Sequence, residues 1–176
     1  MRELLNNKDI DRILSRIALE IIEKNKGTKD LCFIGIHGGG VHIARRITEK
    51  IKRSKGIDLP LGSLDISFYR DDINLRKGHP VIRKTDIPFD ITDKKVILVD
   101  DVLFTGRSIR AAMDALMDMG RPREIQLAVL IDRGNREFPI CAQYIGMDLT
   151  TTLDERVEVE LSEEGHKDRV LIIKDQ

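Results

Sequence analysis

A chain of 176 residues, 41% hydrophobic and 34% charged, is long enough to bury a core and predicts a single soluble domain over residues 1–176. Thirty basic residues balance thirty acidic ones, so no global field draws the chain to nucleic acid or an anionic membrane, and any RNA site must come from charge gathered on one face. No apolar run approaches a membrane span, residues 1–7 lack a signal-peptide core, and Cys32 and Cys141 read as buried free thiols in a reducing cytoplasm.

Ile10, Ile13, Leu14, Ile17, Ala18 and Ile21 recur at helical spacing, predicting an amphipathic first helix that ends near Lys26-Gly27. Arg12, Ser15, Arg16, Glu20 and Glu23 face away, and Arg12 or Arg16 can pair with Glu20 along a merely solvated face. Leu31 to Ile36 reads as a buried strand, followed by His37-Gly38-Gly39-Gly40 and a helical pattern of Val41, Ala44, Ile47 and Ile51. Strand, glycine turn, helix suggests an anion contact. A dinucleotide fingerprint fails, because Ile43 stands where its third glycine belongs and no acidic strand end follows at the right distance.

Leu61 to Phe68 alternates like a half-covered strand. From Tyr69 to about Asp90 the chain is polar, holding Arg70, Asp71, Asp72, Arg76, Lys77, His79, Pro80, Arg83 and Lys84 with no helical period. A loop this long inside a compact domain is either functional or a plain surface hairpin. His37, His42, His79 and His166 are scattered without ligand spacing, so no protein-built zinc site is expected.

The chain is organised around Val96-Ile97-Leu98-Val99-Asp100-Asp101-Val102-Leu103-Phe104-Thr105-Gly106-Arg107-Ser108. Val96 to Val99 has the composition of a doubly covered parallel strand, which puts Asp100 and Asp101 at a carboxyl end, where open α/β sheets bind ligands. Ile109, Ala112, Met113, Leu116 and Met119 then repeat at helical spacing until Gly120 and Pro122, so a helix starts inside the Thr105–Ser108 turn. Orphan N–H groups at a helix start attract phosphate, Gly106 lets the backbone approach it, and Thr105 and Ser108 add hydroxyls. Two carboxylates accept hydrogen bonds from vicinal sugar hydroxyls or help hold a Mg²⁺ attached to them. Diol at one end and phosphate at the other describe a ribose phosphate. Glu124 to Ile131 predicts another buried strand, with the polar turn Asp132-Arg133-Gly134-Asn135-Arg136 at its end. Cys141 to Ile145, Val157 to Leu161 and Arg169 to Ile173 read as short strands, and Asp154, Glu155, Glu158, Glu160, Glu163 and Glu164 as solvated acids.

This signature resembles the phosphoribosyl diphosphate (PRPP) motif of type I phosphoribosyltransferases. With Tyr69-Arg70-Asp71-Asp72, Asp90-Ile91-Thr92-Asp93, Met113-Asp114-Ala115-Leu116, Gly120-Arg121-Pro122 and residues 125–134, the chain is similar to the PyrR family from about Ile10 to the C-terminal strands. The resemblance implies an α/β fold with a central, mainly parallel sheet flanked by helices, a small hood and a flexible loop. It implies two activities: a uracil phosphoribosyltransferase making UMP and diphosphate from uracil and PRPP, and a UMP-responsive regulator of transcription attenuation on pyrimidine-operon leader mRNA. Alternatives are a regulator with little enzymatic activity, or a transferase for another base with no RNA role.

By the same resemblance, Asp100, Asp101 and Arg70 are catalytic candidates, Val96 to Ser108 bind PRPP, His37 to Gly40 receive the diphosphate, and Tyr69, Arg70, Asp71 and Asp72 begin the flexible loop. Mg²⁺ is carried by PRPP near Asp100 and Asp101. Arg12, Arg16, Lys24, Arg133 and Arg136 are RNA candidates, and a homodimer or higher homo-oligomer is expected. Two departures stand out: Leu19 replaces a helix histidine, and Gly38-Gly39 replaces a Thr-Arg pair, so a cationic diphosphate contact must come from elsewhere.

Overall fold

The computed structural model describes residues 1–71 and 83–174. In chain order its elements are β1 (Arg2–Asn6), α1 (Asn7–Lys24), β2 (Leu31–Ile36), α2 (Gly39–Lys55), β3 (Leu61–Leu64), β4 (Lys95–Leu103), α3 (Arg107–Met119), β5 (Glu124–Asp132), β6 (Tyr144–Asp148), β7 (Glu155–Glu160) and β8 (Arg169–Lys174). Strands β3-β2-β4-β5-β6 form a sheet that is parallel throughout, and β1-β8-β7 form a second, antiparallel sheet. The unbroken Ile, Val and Leu runs of β2, β4 and β5 are buried because helices cover both faces of the large sheet.

Side-chain alternation divides the interior in two. Ile97 and Val99 face α1 and α2, where Ile10, Leu14, Ile17, Ile43 and Ile47 pack, joined by Leu5, Val157 and Val170 of the small sheet. Val96 and Leu98 face α3 and pack with Ile109, Ala112 and Leu116. The chain leaves β2 toward one edge of the sheet and β4 toward the other, so the strand order reverses between them. The turns after these two strands open into the crevice where such sheets bind ligands.

Helix α1 begins in a reciprocal cap, in which Asn6 Oδ1 accepts from Asp9 N–H at 3.1 Å and Asp9 Oδ2 accepts from Asn6 N–H at 3.2 Å. The strand before it, β1, carries no local signal, because its partner β8 lies at the far end of the chain. Strand β3 stops at Leu64 instead of reaching Phe68, since the Asp65 carboxylate takes the Ser67 N–H and hydroxyl at 2.9 and 2.6 Å and turns the backbone. Strand β4 runs past both acids to Leu103, paired with β5 as far as Leu103 and Asp132.

Strand β6 lies three residues beyond the expected Cys141 start, and Cys141 is exposed rather than buried. Cys32 is buried, and desolvation pushes its thiol up to about 11. Nor are the C-terminal acids merely solvated. Glu160 pairs with Arg169 at 2.6 Å, while Glu163 and Asp168 clamp Arg46 at 2.5 and 2.8 Å. Asp72, Arg76, Lys77, His79 and Pro80 lie outside the described residues. The return of that excursion is tied down, since Ser63 and Asp86 exchange both backbone hydrogen bonds at 2.8 Å.

Candidate active site

Of the thirteen signature residues, Val96, Ile97, Leu98 and Val99 are fully buried in the sheet, where they position the turn that follows. Asp100 shares the side of β4 that faces α3, and Asp101 the side that faces α2. The acids therefore flank the strand and do not stand side by side, although Asp101 N–H donates to Asp100 Oδ1 at 3.0 Å. Asp100, Arg70, Val102, Leu103, Phe104, Thr105, Gly106, Ser108 and Ile109 line a cavity of about 140 Å³. Burial and then the charge of Asp101 hold the Asp100 carboxyl well above its ordinary value, with Arg70 pulling the other way. Burial also raises Asp101, opposed chiefly by the Val102 N–H, which donates to its Oδ1 at 2.7 Å.

Gly106 caps α3 with φ +91°, a left-handed conformation that L side chains resist. The Thr105 carbonyl accepts from Glu137 and Phe138 N–H at 2.9 and 3.0 Å, and its hydroxyl oxygen accepts a longer 3.3 Å bond from Arg107 N–H. The turn is thus braced from behind, with the Arg107 N–H held only by that long bond and no side-chain cap on the helix start. The Arg107 guanidinium does not line the cavity. It bonds Asp71 Oδ2 at 2.5 Å and Glu137 Oε2 at 2.6 Å and lies over the Phe138 ring.

The second turn meets Asp101. A Cβ on Gly39 would come within 2.6 Å of Asp101 Oδ2, and one on Gly40 within 2.5 Å of the Val99 carbonyl oxygen, so both glycines serve close approach. Gly38 has φ +107° with open space around it. His37 Nε2 lies 2.8 Å from the Lys84 carbonyl oxygen, tying this turn to the far end of the polar excursion. The near end is fastened to α3 by Tyr69, whose hydroxyl donates to Asp118 at 2.8 Å, and by Asp71. Arg70 is thereby held beside Asp100, on the side of the Thr105–Ser108 turn. Asp72 lies outside the described residues.

The residues after β5 depart from expectation. Arg133 is 6% exposed, stacks on the Phe104 ring at 3.9 Å, and donates to Thr151 Oγ1 and the Glu155 carbonyl. Arg136 donates to the Phe104 and Ile140 carbonyls and pairs with Asp132. Both arginines brace Phe104, a wall of the cavity, with their guanidinium groups engaged by carbonyl, hydroxyl and carboxylate oxygens. The basic face is reduced to α1, where Arg12 is exposed beside Asp9, Arg16 pairs with Glu20 and bonds the Ile145 and Gly146 carbonyls, and Lys24 lies over the Tyr144 ring.

Sequence reasoning missed the His37–Lys84 tether and the approach of His42 Nε2 to Glu164 at 3.8 Å, a residue whose charge also bears on Asp101. Neither has a local sequence signal, since each joins separate parts of the chain. Among the described residues no group of three or more His, Cys, Asp or Glu gathers as a metal-ligand set. Asp100 and Asp101 are hard oxygen donors whose raised proton affinity a cation would relieve, so they fit a Mg²⁺ that brings its other ligands with it.

Residues 1–164 match the family model described as the phosphoribosyl transferase domain. The chain is 54% identical over 171 residues to the bifunctional protein PyrR of Caldicellulosiruptor bescii, covering 97% of this chain and 94% of that protein. It is 53% identical over 171 residues to the bifunctional protein PyrR of Bacillus mycoides, covering 96% and 95%. Among solved structures it resembles the hypoxanthine phosphoribosyltransferase of Trypanosoma cruzi, with TM-score 0.75 and 15% identity over 100% of this chain and 98% of the other. It also resembles a hypoxanthine-guanine phosphoribosyltransferase of Bacillus anthracis, with TM-score 0.73 and 19% identity over 97% and 96%. At those identities the likeness concerns the fold, which is that of the type I phosphoribosyltransferases. Fold, signature and full-length relatives agree: the chain belongs to the phosphoribosyl transferase domain family and, within it, to the PyrR family.

Proposed function

We propose that the protein transfers the ribosyl phosphate of PRPP to uracil, releasing UMP and diphosphate. The observation that carries this reading is the single cavity shared by Asp100, Arg70 and the Thr105–Ser108 turn, at the point where the strand order reverses. Departure of diphosphate leaves positive character on the ribose ring, and a carboxylate near that ring stabilises it. Asp100 and Asp101, on either side of the strand, accept from the ribose hydroxyls. The amides of 106–108 and the Ser108 hydroxyl hold the phosphate, fixing the sugar for attack by the base. Mg²⁺ bound with PRPP neutralises charge on the leaving diphosphate. The two ends of the polar excursion are fastened beside the site, at Tyr69 and Asp71 and at Lys84. We read residues 1–176 as one such transferase unit, cytoplasmic and working as a homodimer or larger homo-oligomer. Incubation with PRPP, Mg²⁺ and uracil is expected to give UMP, with hypoxanthine, guanine and orotate inactive. Product from one of those bases and none from uracil would reassign the substrate.

The relatives' description as bifunctional supports a second activity, UMP-responsive binding of pyrimidine-operon leader mRNA. Its contacts reduce to Arg12, Arg16 and Lys24, because Arg133 and Arg136 are committed to the fold. Filter binding over a salt series is expected to show UMP-strengthened affinity for leader RNA. Affinity no greater than for a scrambled RNA would remove this role.

A further inference from the structure

Phe104 lies between the acids and the Thr105–Ser108 turn, and it is the one aromatic ring among the described residues that line their shared cavity. With the ribose at Asp100 and its phosphate at 105–108, this ring is a flat apolar wall beside the sugar. It is half-buried and fixed twice. Arg136 Nη1 donates to its carbonyl at 2.9 Å, and the Arg133 guanidinium lies over the ring, 3.9 Å from the centroid. Arg133 is only 6% exposed and is anchored in the segment that leads into β7. Its Nε donates to Thr151 Oγ1 at 3.0 Å, and its Nη2 to the Thr152 and Glu155 carbonyls at 3.4 and 2.7 Å. Arg133 is not among the residues lining the cavity, so the Phe104 ring stands between its charge and a bound molecule. A cation stacked on one face of a ring leaves the other face to a planar partner. Asp100 is the one carboxylate among the described lining residues, and in the transfer reading the ribose hydroxyls engage it.

We propose that the pyrimidine base stacks on the cavity face of Phe104, and that Arg133, acting through this ring, favours the base as its anion. The proposal rests on the phosphoribosyl-transfer reading and adds to it the seat of the base and the means of its activation. In the step, the N1–H proton of uracil passes to water and the N1 electron pair forms the bond to C1′ of the ribose. The C1′–O bond breaks, and its electron pair leaves on diphosphate. Negative charge on the base then lies one ring's thickness from a guanidinium shielded from water, where Coulomb attraction is weakly screened. Arg133 is a positioning residue, since it reaches the base only through Phe104.

The test uses the full chain, with UMP and ribose 5-phosphate as binding probes. Uracil and 5-fluorouracil, whose N1–H is the more acidic, are the substrates. Phe104→Leu is expected to weaken UMP binding by about tenfold, the loss typical of a base–aromatic stack, and to leave ribose 5-phosphate within about twofold. Arg133→Gln is expected to lower kcat/KM for uracil by about tenfold more than for 5-fluorouracil, with KM for PRPP within about twofold. Arg133→Lys, which keeps the cation, recovers most of that loss, whereas a merely structural arginine would affect both bases alike. Unchanged UMP affinity in Phe104→Leu, an equal loss of ribose 5-phosphate affinity, or equal losses with the two bases in Arg133→Gln would overturn the inference. Because binding is read without turnover, a protein that lost UMP affinity through Phe104 yet made no UMP from uracil would sink the transfer reading and leave the seat of the base standing.

Discussion

Asp100 and Asp101 are neighbours in sequence with different surroundings, and their chemistry divides accordingly. Asp100 is buried toward α3 and Arg70, while Asp101 is half-buried against Gly39 and feels Glu164. Replacing Asp101 by Asn keeps an acceptor for the Val102 N–H and removes the charge. Asp101→Asn is therefore expected to lower kcat by about 100-fold or more while leaving the melting temperature nearly unchanged. Steady-state kinetics beside thermal melting checks this, and unchanged turnover would show the acid to be idle.

For Asp100 the sign of the pH effect follows from its raised carboxyl. Between the ordinary carboxylate value and the raised folded one, the folded chain binds more protons than the unfolded chain, so stability falls as pH climbs through that window. Asp100→Asn is expected to raise the melting temperature of the ligand-free protein at neutral pH and to change it little at about pH 4, near the ordinary carboxylate value. A lowered melting temperature at both pH values would contradict the assigned burial and repulsion. These residues were legible in the sequence because two acids ending an apolar run and leading into Thr-Gly-Arg-Ser is a local pattern. Their opposite facing followed only once β4 was seen to continue to Leu103.

At the scale of elements, the strand–turn–helix units were legible wherever hydrophobic period and turn chemistry coincide, as in β2 with α2 and β4 with α3. The elements that hold the site from outside were not. β1 finds its partner in β8, and β6 starts late because the irregular segment before it caps β5 with a side chain, Gln143 Oε1 accepting the Leu127 N–H at 2.7 Å. Arg133 and Arg136 look like surface charges in sequence, yet they close the wall behind Phe104. The glycine turn yields a sharper prediction. Gly39→Ala forces a methyl group against the Asp101 carboxylate and is expected to cost about 1–3 kcal/mol of stability. The same shift disturbs catalytic geometry, so activity should fall by more than the loss of folded protein explains. Denaturant unfolding and kinetics on the soluble fraction separate the two, and wild-type turnover would show that Asp101 need not lie against this turn.

At the scale of the molecule, one parallel sheet sets two glycine-bearing turns on either side of the β2–β4 crevice, and the described ends of the polar excursion are pinned to both. Its near stem joins the phosphate-turn helix through Tyr69 and Asp71, and its far stem joins the glycine turn through Lys84. The most direct test of the account is a crystal structure of the protein with UMP. It is expected to show the phosphate within hydrogen-bond distance of the Gly106, Arg107 and Ser108 amides and the ribose hydroxyls turned toward Asp100 and Asp101. A phosphate seated anywhere else on the protein would contradict it.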